Sequence, residues 1–196
     1  MAEDETVARA VSGDEAAQQA LYEVYWARAF RLAYLLLSNA DDAEEAVQDA
    51  FVYFFRNLRH YSPQRGPLWA WLRVILVSRC RNKRRGIKWR LPVLQTLEHA
   101  DEGEETADDP ASILEQLGAR QAVWEALQRV SPAARDALIL RYYEGLSYAE
   151  IAAILGCQEE AARARVYHGK VQLRRLLEER GEATERGVLP AVKVRG

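Results

Sequence analysis

Apolar residues recur along the chain at three- and four-residue intervals, a spacing that predicts helices. Thr6 to Val11 forms a short helical patch ended by Gly13. Asp14 then offers an N-cap to a long helix whose apolar face carries Leu21, Val24, Tyr25, Ala29, Leu32, Leu35 and Leu36. Asn39 to Asp42 breaks that helix. Asp41 and Glu44 have capping-box spacing, and the helix they open buries Ala46, Val47, Ala50, Phe51, Phe54 and Phe55 while exposing Asp42, Glu45, Gln48 and Asp49. Two prolines and a glycine between Tyr61 and Pro67 make a loop, and Pro67 suits the first turn of a further helix. That helix runs to about Arg85, with Trp71, Val74, Ile75 and, at its edge, Ser78 facing inward.

From Pro92 to about Pro110 the periodicity stops, and the Asp, Glu, Thr, Ala and Gly found there make a solvated linker. It resumes near Ala111 with Ile113, Leu114, Leu117, Ala122, Val123, Ala126 and Leu127, ends at Val130, and restarts with Ser131 and Pro132 as N-cap and first helical residue. Leu138, Ile139 and Tyr142 continue that helix. After the Glu144-Gly145 turn, Ser147 and Glu150 make a second capping box for a short helix through Ile151, Ala152 and Leu155, which Gly156 ends. A last helix runs from about Glu159 to Glu179. The expected fold class is all-α, with two small helical domains at residues 1–90 and 113–180, a flexible acidic linker at 91–112 and a flexible tail at 181–196.

Charge sharpens this picture. The formal net charge of −2 hides strong segmentation. Between Asp49 and Glu98 no side chain is acidic, while Arg56, Arg59, Arg65, Arg73, Arg79, Arg81, Lys83, Arg84, Arg85, Lys88 and Arg90 are basic. Interleaved with them are Tyr53, Phe54, Phe55, His60, Tyr61, Trp69, Trp71 and Trp89, a mixture suited to neutralising a phosphate backbone and stacking unpaired bases. Cations at a helix C-terminus also complement its dipole, but five bases in the seven residues from Arg79 to Arg85 exceed that need. The sign then reverses through Glu98, Asp101, Glu102, Glu104, Glu105, Asp108, Asp109 and Glu115, with no Lys or Arg between Arg90 and Arg120.

Other chemistries find little support. No apolar run reaches the roughly 18 residues of a membrane span, and the acidic N-terminus lacks signal-peptide character, so a cytoplasmic protein without membrane insertion is expected. Cys80 and Cys157 have no metal-ligand spacing and are expected as buried or half-buried thiols, with no metal and no cofactor. No arrangement of nucleophile, base and oxyanion donors and no phosphate-binding glycine loop suggests an enzyme. The two helices about Gly156, the second bearing Arg163, Arg165, His168, Lys170, Arg174 and Arg175, form a helix-turn-helix with its recognition helix. A bundle helix with a solvated basic side is the plainer alternative.

Taken in order, these motifs resemble the extracytoplasmic-function, or group IV, sigma factors of bacterial RNA polymerase. The likeness rests on the Gly13-Asp14 turn, the segment from Asp42 to Phe51, the Trp71-Leu72 helix with its basic end, and Gly145-Leu146-Ser147-Tyr148-Ala149-Glu150-Ile151-Ala152 with Leu155-Gly156. It implies that Asp42, Glu45, Gln48 and Asp49 bind a basic coiled coil of the polymerase, and that Leu138 and Tyr142 dock on its flap. The loop with His60, Tyr61 and Arg65, beside Trp71, would capture a flipped base of the minus-ten element. Arg73, Arg79, Lys83 and Arg84 would hold the melted strand, and the linker would thread toward the active-site cleft. Gln158, Glu159, Arg163, Arg165, His168, Lys170 and Arg174 would face the minus-thirty-five element. Arg165 is the expected base reader there, because Arg163 lies four residues after Glu159 and can pair with it. Ser78, Asn82, Ala161, Ala162 and His168 depart from the usual pattern and bear on promoter preference. The implied partners are core RNA polymerase, promoter DNA in duplex and melted form, and an anti-sigma factor. A sigma-mimic that sequesters an anti-sigma factor and a plain helix-turn-helix repressor stand as alternatives.

Overall fold

The computed structural model describes residues 3–86 and 121–178. The chain divides into two compact units, and each holds one of these stretches. The expected linker, the tail, and Ile113, Leu114 and Leu117 lie outside the described residues. All regular structure among the described residues is helical. The first unit has α1 (Glu3–Val11), α2 (Glu15–Leu37), α3 (Ala40–Asn57) and α4 (Leu68–Arg84); the second has α5 (Gln121–Arg129), α6 (Pro132–Tyr142), α7 (Tyr148–Leu155) and α8 (Glu159–Glu178). No helix among the described residues is long and apolar enough to cross a membrane.

Local chemistry sets the helix ends. Asp14 caps α2 by accepting the amide hydrogens of Ala16 and Ala17 at 3.0 and 3.1 Å. A hydrogen bond from Arg9, at 2.8 Å, reaches the same carboxylate and, with the Ala17 amide, holds its pKa below the usual carboxylate value. Ser38 ends α2 in the left-handed region with φ of 64°. The next cap falls two residues earlier than the capping-box spacing predicts, because Asn39 is already extended and its side chain accepts from the Asp42 amide at 2.9 Å. Asp41 and Asp42 then sit in the first turn of α3, facing the positive end of its dipole.

Helices α2, α3 and α4 pack together around Leu32, Leu36, Phe54, Leu72, Ile75 and Leu76, all fully buried. Val24 is exposed instead of sharing this core. The buried stripe of α2 follows Leu21, Tyr25, Ala29, Leu32 and Leu36, and residue 24 lies about 100° round the helix from Tyr25. Helix α4 departs most from its prediction: it is buried round most of its circumference, from Leu68 and Trp69 to Val77 and Cys80, with Trp71 and Ser78 only half-buried. An apolar helix of that kind is the central element of its unit.

In the second unit, Ser131 and Pro132 open α6, and the capping box of Ser147 and Glu150 opens α7. Gly156 closes α7 at φ of 63°, a conformation that costs glycine nothing. Helix α8 crosses α6 at Gly169, where a Cβ would lie 2.8 Å from the side chain of Leu138 and 3.2 Å from the carbonyl oxygen of Ala134. Close approach is thus the reason for a glycine inside a helix, where it otherwise costs about 1 kcal/mol. Gly169→Leu is expected to lower the stability of this unit by ~1–3 kcal/mol or more through overpacking. Thermal unfolding of the full chain reads this out, and an unchanged midpoint would mean that the crossing can open without loss.

Candidate nucleic-acid and polymerase interface

The loop between α3 and α4 is built from two short 3-10 turns, Leu58–His60 and Pro63–Arg65. Gly66 completes it at φ of 121°, and the Tyr61 hydroxyl donates to the Gly66 carbonyl at 3.1 Å, closing the loop on itself. Tyr61 also stacks on Trp71 with ring centroids 5.8 Å apart, and Trp71 in turn lies 5.2 Å from Phe54. His60 and Arg65 are exposed. A half-buried aromatic pair flanked by exposed basic groups is suited to stacking unpaired bases beside a phosphate backbone.

The basic stretch of α4 is divided by the fold. Arg73 has no exposed surface and Arg79 only 4%, with the Arg79 guanidinium 4.8 Å from the ring centroid of Tyr53. Both are enclosed in the interior of the unit, whereas the sequence reading set them against a DNA strand. Because α4 is central, even residues of the most hydrophilic type on it are enclosed. Arg84 donates to the Leu36 carbonyl at 3.4 Å and fastens the end of α4 to the end of α2. Lys83 is turned toward α3, with Nζ 3.1 Å from Asp42 and 2.5 Å from Glu45. The hydrogen bond to Glu45, followed by that to Asp42, raises the Lys83 pKa. Half-exposed Arg81 and exposed Arg85, neither of which the resemblance singled out, are the outward basic side chains of this helix end.

On α3 the buried residues Ala43, Ala46, Val47, Ala50 and Phe54 define one side, and Glu45, Gln48 and Asp49 are exposed on the other. Val52 falls at the centre of that outer face and is 47% exposed. A helical projection of residues 40–57 reveals it; a search for charges does not.

The helix-turn-helix is held at its elbow by arginines. Arg141 donates to the Leu146 carbonyl at 2.6 Å, and Arg141 and Arg163 each place a guanidinium 4.8 Å from the ring centroid of Tyr148. Arg163 also reaches Glu159 at 3.3 Å, the pairing that their spacing predicted. Arg165 is half-buried and donates to the Cys157 sulfur in the turn at 3.3 Å, so it lies along the flank of α8. Lys170 lies 6.0 Å over the Tyr142 ring. The inner face of α8 consists of Ala162, Val166, Gly169 and Leu173, which leaves Glu160, Ala164, Tyr167 and Val171 facing directly outward, flanked by His168, Arg174 and Arg175. Tyr167 is 64% exposed. Leu138 is buried beneath Gly169, Tyr142 at the end of α6 is half-buried, and Tyr143 just beyond it is exposed.

Cys80 is buried and Cys157 half-buried, both as thiols, and no group of three or more potential metal ligands occurs among the described residues.

Two family descriptions match the chain: Sigma-70 region 2 over residues 21–90 and Sigma-70 region 4 over residues 120–173. The chain is 32% identical to the ECF RNA polymerase sigma factor SigE of Mycolicibacterium smegmatis, over 88% of its own length and 67% of that relative's. It is 27% identical to SigL of Mycobacterium tuberculosis, over 89% and 97% of the two chains. The solved structure of the sigma factor RpoE with the anti-sigma factor NepR from Bartonella quintana superposes with a TM-score of 0.54 at 28% identity, covering 82% of this chain and 95% of that one. A chain whose regular structure is helical throughout its described residues, with a region 2 unit, a region 4 helix-turn-helix and these relatives, belongs to the ECF RNA polymerase sigma factors, the non-enzymatic initiation factors that bind RNA polymerase and direct it to promoters.

Proposed function

We propose that the first unit docks on core RNA polymerase through the outer face of α3, with Glu45, Gln48 and Asp49 as its charged and polar groups and Val52 as its apolar centre. The observation that carries this is the segregation on α3 of an exposed acidic face around an exposed valine, opposite a fully apolar inner face. The melted minus-ten strand is taken by the loop, with Tyr61 and Trp71 as the stacking pair and His60 and Arg65 at the phosphates. The second unit reads the minus-thirty-five duplex with the outward stripe Ala164, Tyr167 and Val171; His168, Arg174 and Arg175 grip its backbone. The protein works in the cytoplasm, with the polymerase. Because the similar sigma factor RpoE is held by an anti-sigma factor, an anti-sigma partner belongs to this proposal as well.

Charge reversal tests the docking face. Glu45→Lys with Asp49→Lys in the full chain places like charges against a basic partner, an arrangement that costs several kcal/mol. The variant is expected to lose no more than about 1 kcal/mol of stability, the scale of the exposed Lys83–Glu45 pair it removes, and to lose core-polymerase affinity by about a hundredfold at low salt. Wild-type affinity would refute this face as the docking site.

A further inference from the structure

The acidic face of α3 is not an undisturbed anion. Lys83, from the last turn of α4, reaches across to it, with Nζ 3.1 Å from Asp42 Oδ1 and 2.5 Å from Glu45 Oε2. One ammonium thus serves two carboxylates from the first two turns of the neighbouring helix. All three side chains retain solvent access, at 24% for Lys83, 49% for Asp42 and 65% for Glu45, so an incoming charged partner can reach them. The geometry is reversible. Exposed ion pairs are weak and screened by salt, and a lysine stem can swing away without disturbing the packing of its helix.

We propose that Lys83 sets the affinity of this sigma factor for polymerase by competing, from within the chain, with the cationic polymerase surface for Glu45. The proposal rests on the docking face assigned above. A basic partner approaching Glu45 meets a carboxylate already neutralised, and must displace Lys83 or share its acceptor. Displacement frees a cation at the end of α4 that also carries Arg81 and Arg85. By linkage, whatever holds Lys83 on Glu45 weakens polymerase binding by the same factor that polymerase binding weakens the Lys83 contact.

The test measures core-polymerase affinity for the full-length wild type, Lys83→Met and Lys83→Arg, each alone and combined with Glu45→Gln. Lys83→Met keeps a long helix-forming side chain and is expected to bind about two- to fivefold tighter at low salt, the scale of an exposed pair. The gain should vanish at about 1 M salt, where the screening length falls to roughly 3 Å. Lys83→Arg, retaining the charge, should stay near the wild type. In the Glu45→Gln background the gain from Lys83→Met should shrink, because the competition has lost its stronger acceptor. Unchanged or weaker binding by Lys83→Met, alongside strong loss in the Glu45→Lys and Asp49→Lys protein, would overturn the competition while leaving the docking face standing. Wild-type binding by the double charge reversal would overturn both together.

Discussion

Arg79→Glu is expected to destabilise the first unit by ~3–5 kcal/mol, the scale on which a buried charge without compensation acts. The Arg79 guanidinium is enclosed at 4.8 Å from the Tyr53 ring centroid, and a carboxylate there would meet the negative face of the ring in place of a favourable cation–π contact. Loss of open-complex formation by this variant would therefore be a folding defect. Arg85→Glu, at an exposed position on the same helix end, should remain folded and lose single-strand affinity, with a salt slope reduced by about 0.7. Urea unfolding of both full-length variants beside titrations with a minus-ten oligonucleotide separates the effects. If Arg79→Glu unfolds like the wild type and only DNA binding falls, the interior placement of Arg79 is wrong.

Tyr167→Ala is expected to relax base preference at one or two positions of the minus-thirty-five element, each by ~1–3 kcal/mol, whereas Arg165→Ala should shift all sequences by a small common factor. Tyr167 projects from the outward face of α8, while Arg165 is spent on the Cys157 sulfur at 3.3 Å along its flank. The outward stripe of Ala164, Tyr167 and Val171 is suited to apolar contact with thymine methyl groups and lacks a bidentate donor for guanine. Selection from a library randomised over the minus-thirty-five element, with polymerase carrying each variant, reads the two outcomes apart. Relaxed preference from Arg165→Ala and uniform loss from Tyr167→Ala would reverse the assignment.

These two residues show where sequence reasoning stops. Short-range chemistry is legible: Asp14, the Ser147 and Glu150 box, Gly156 and Pro132 all act where their types and spacing place them, while Ser131 holds the N-cap position of α6 without a side-chain capping hydrogen bond. The cap of α3 moved from Asp41 to Asn39 because both residues can cap and the reversal after Ser38 chose between them. Burial of a charged side chain depends on what packs around its helix, and local pattern cannot show that α4 is enclosed on nearly all sides. Arg73 and Arg79 therefore look like DNA contacts in the sequence and belong to the interior in the fold. The burial of Leu138 is hidden from the sequence for a related reason, since its partner Gly169 lies 31 residues further on, in another helix. Tyr167 and Val52 are legible in the sequence as large side chains that face away from the apolar stripes of α8 and α3, a signal that charge alone does not carry.

Run-off transcription with core RNA polymerase on a library of promoter-length duplexes tests the central claim most directly. With the wild-type chain, initiation should concentrate on templates sharing two separated sequence elements. Glu45→Lys with Asp49→Lys should abolish that initiation, and Tyr167→Ala should alter preference only in the upstream element. A chain that binds core polymerase yet yields no promoter-selective transcript, or one that initiates equally well on all duplexes, would contradict the account.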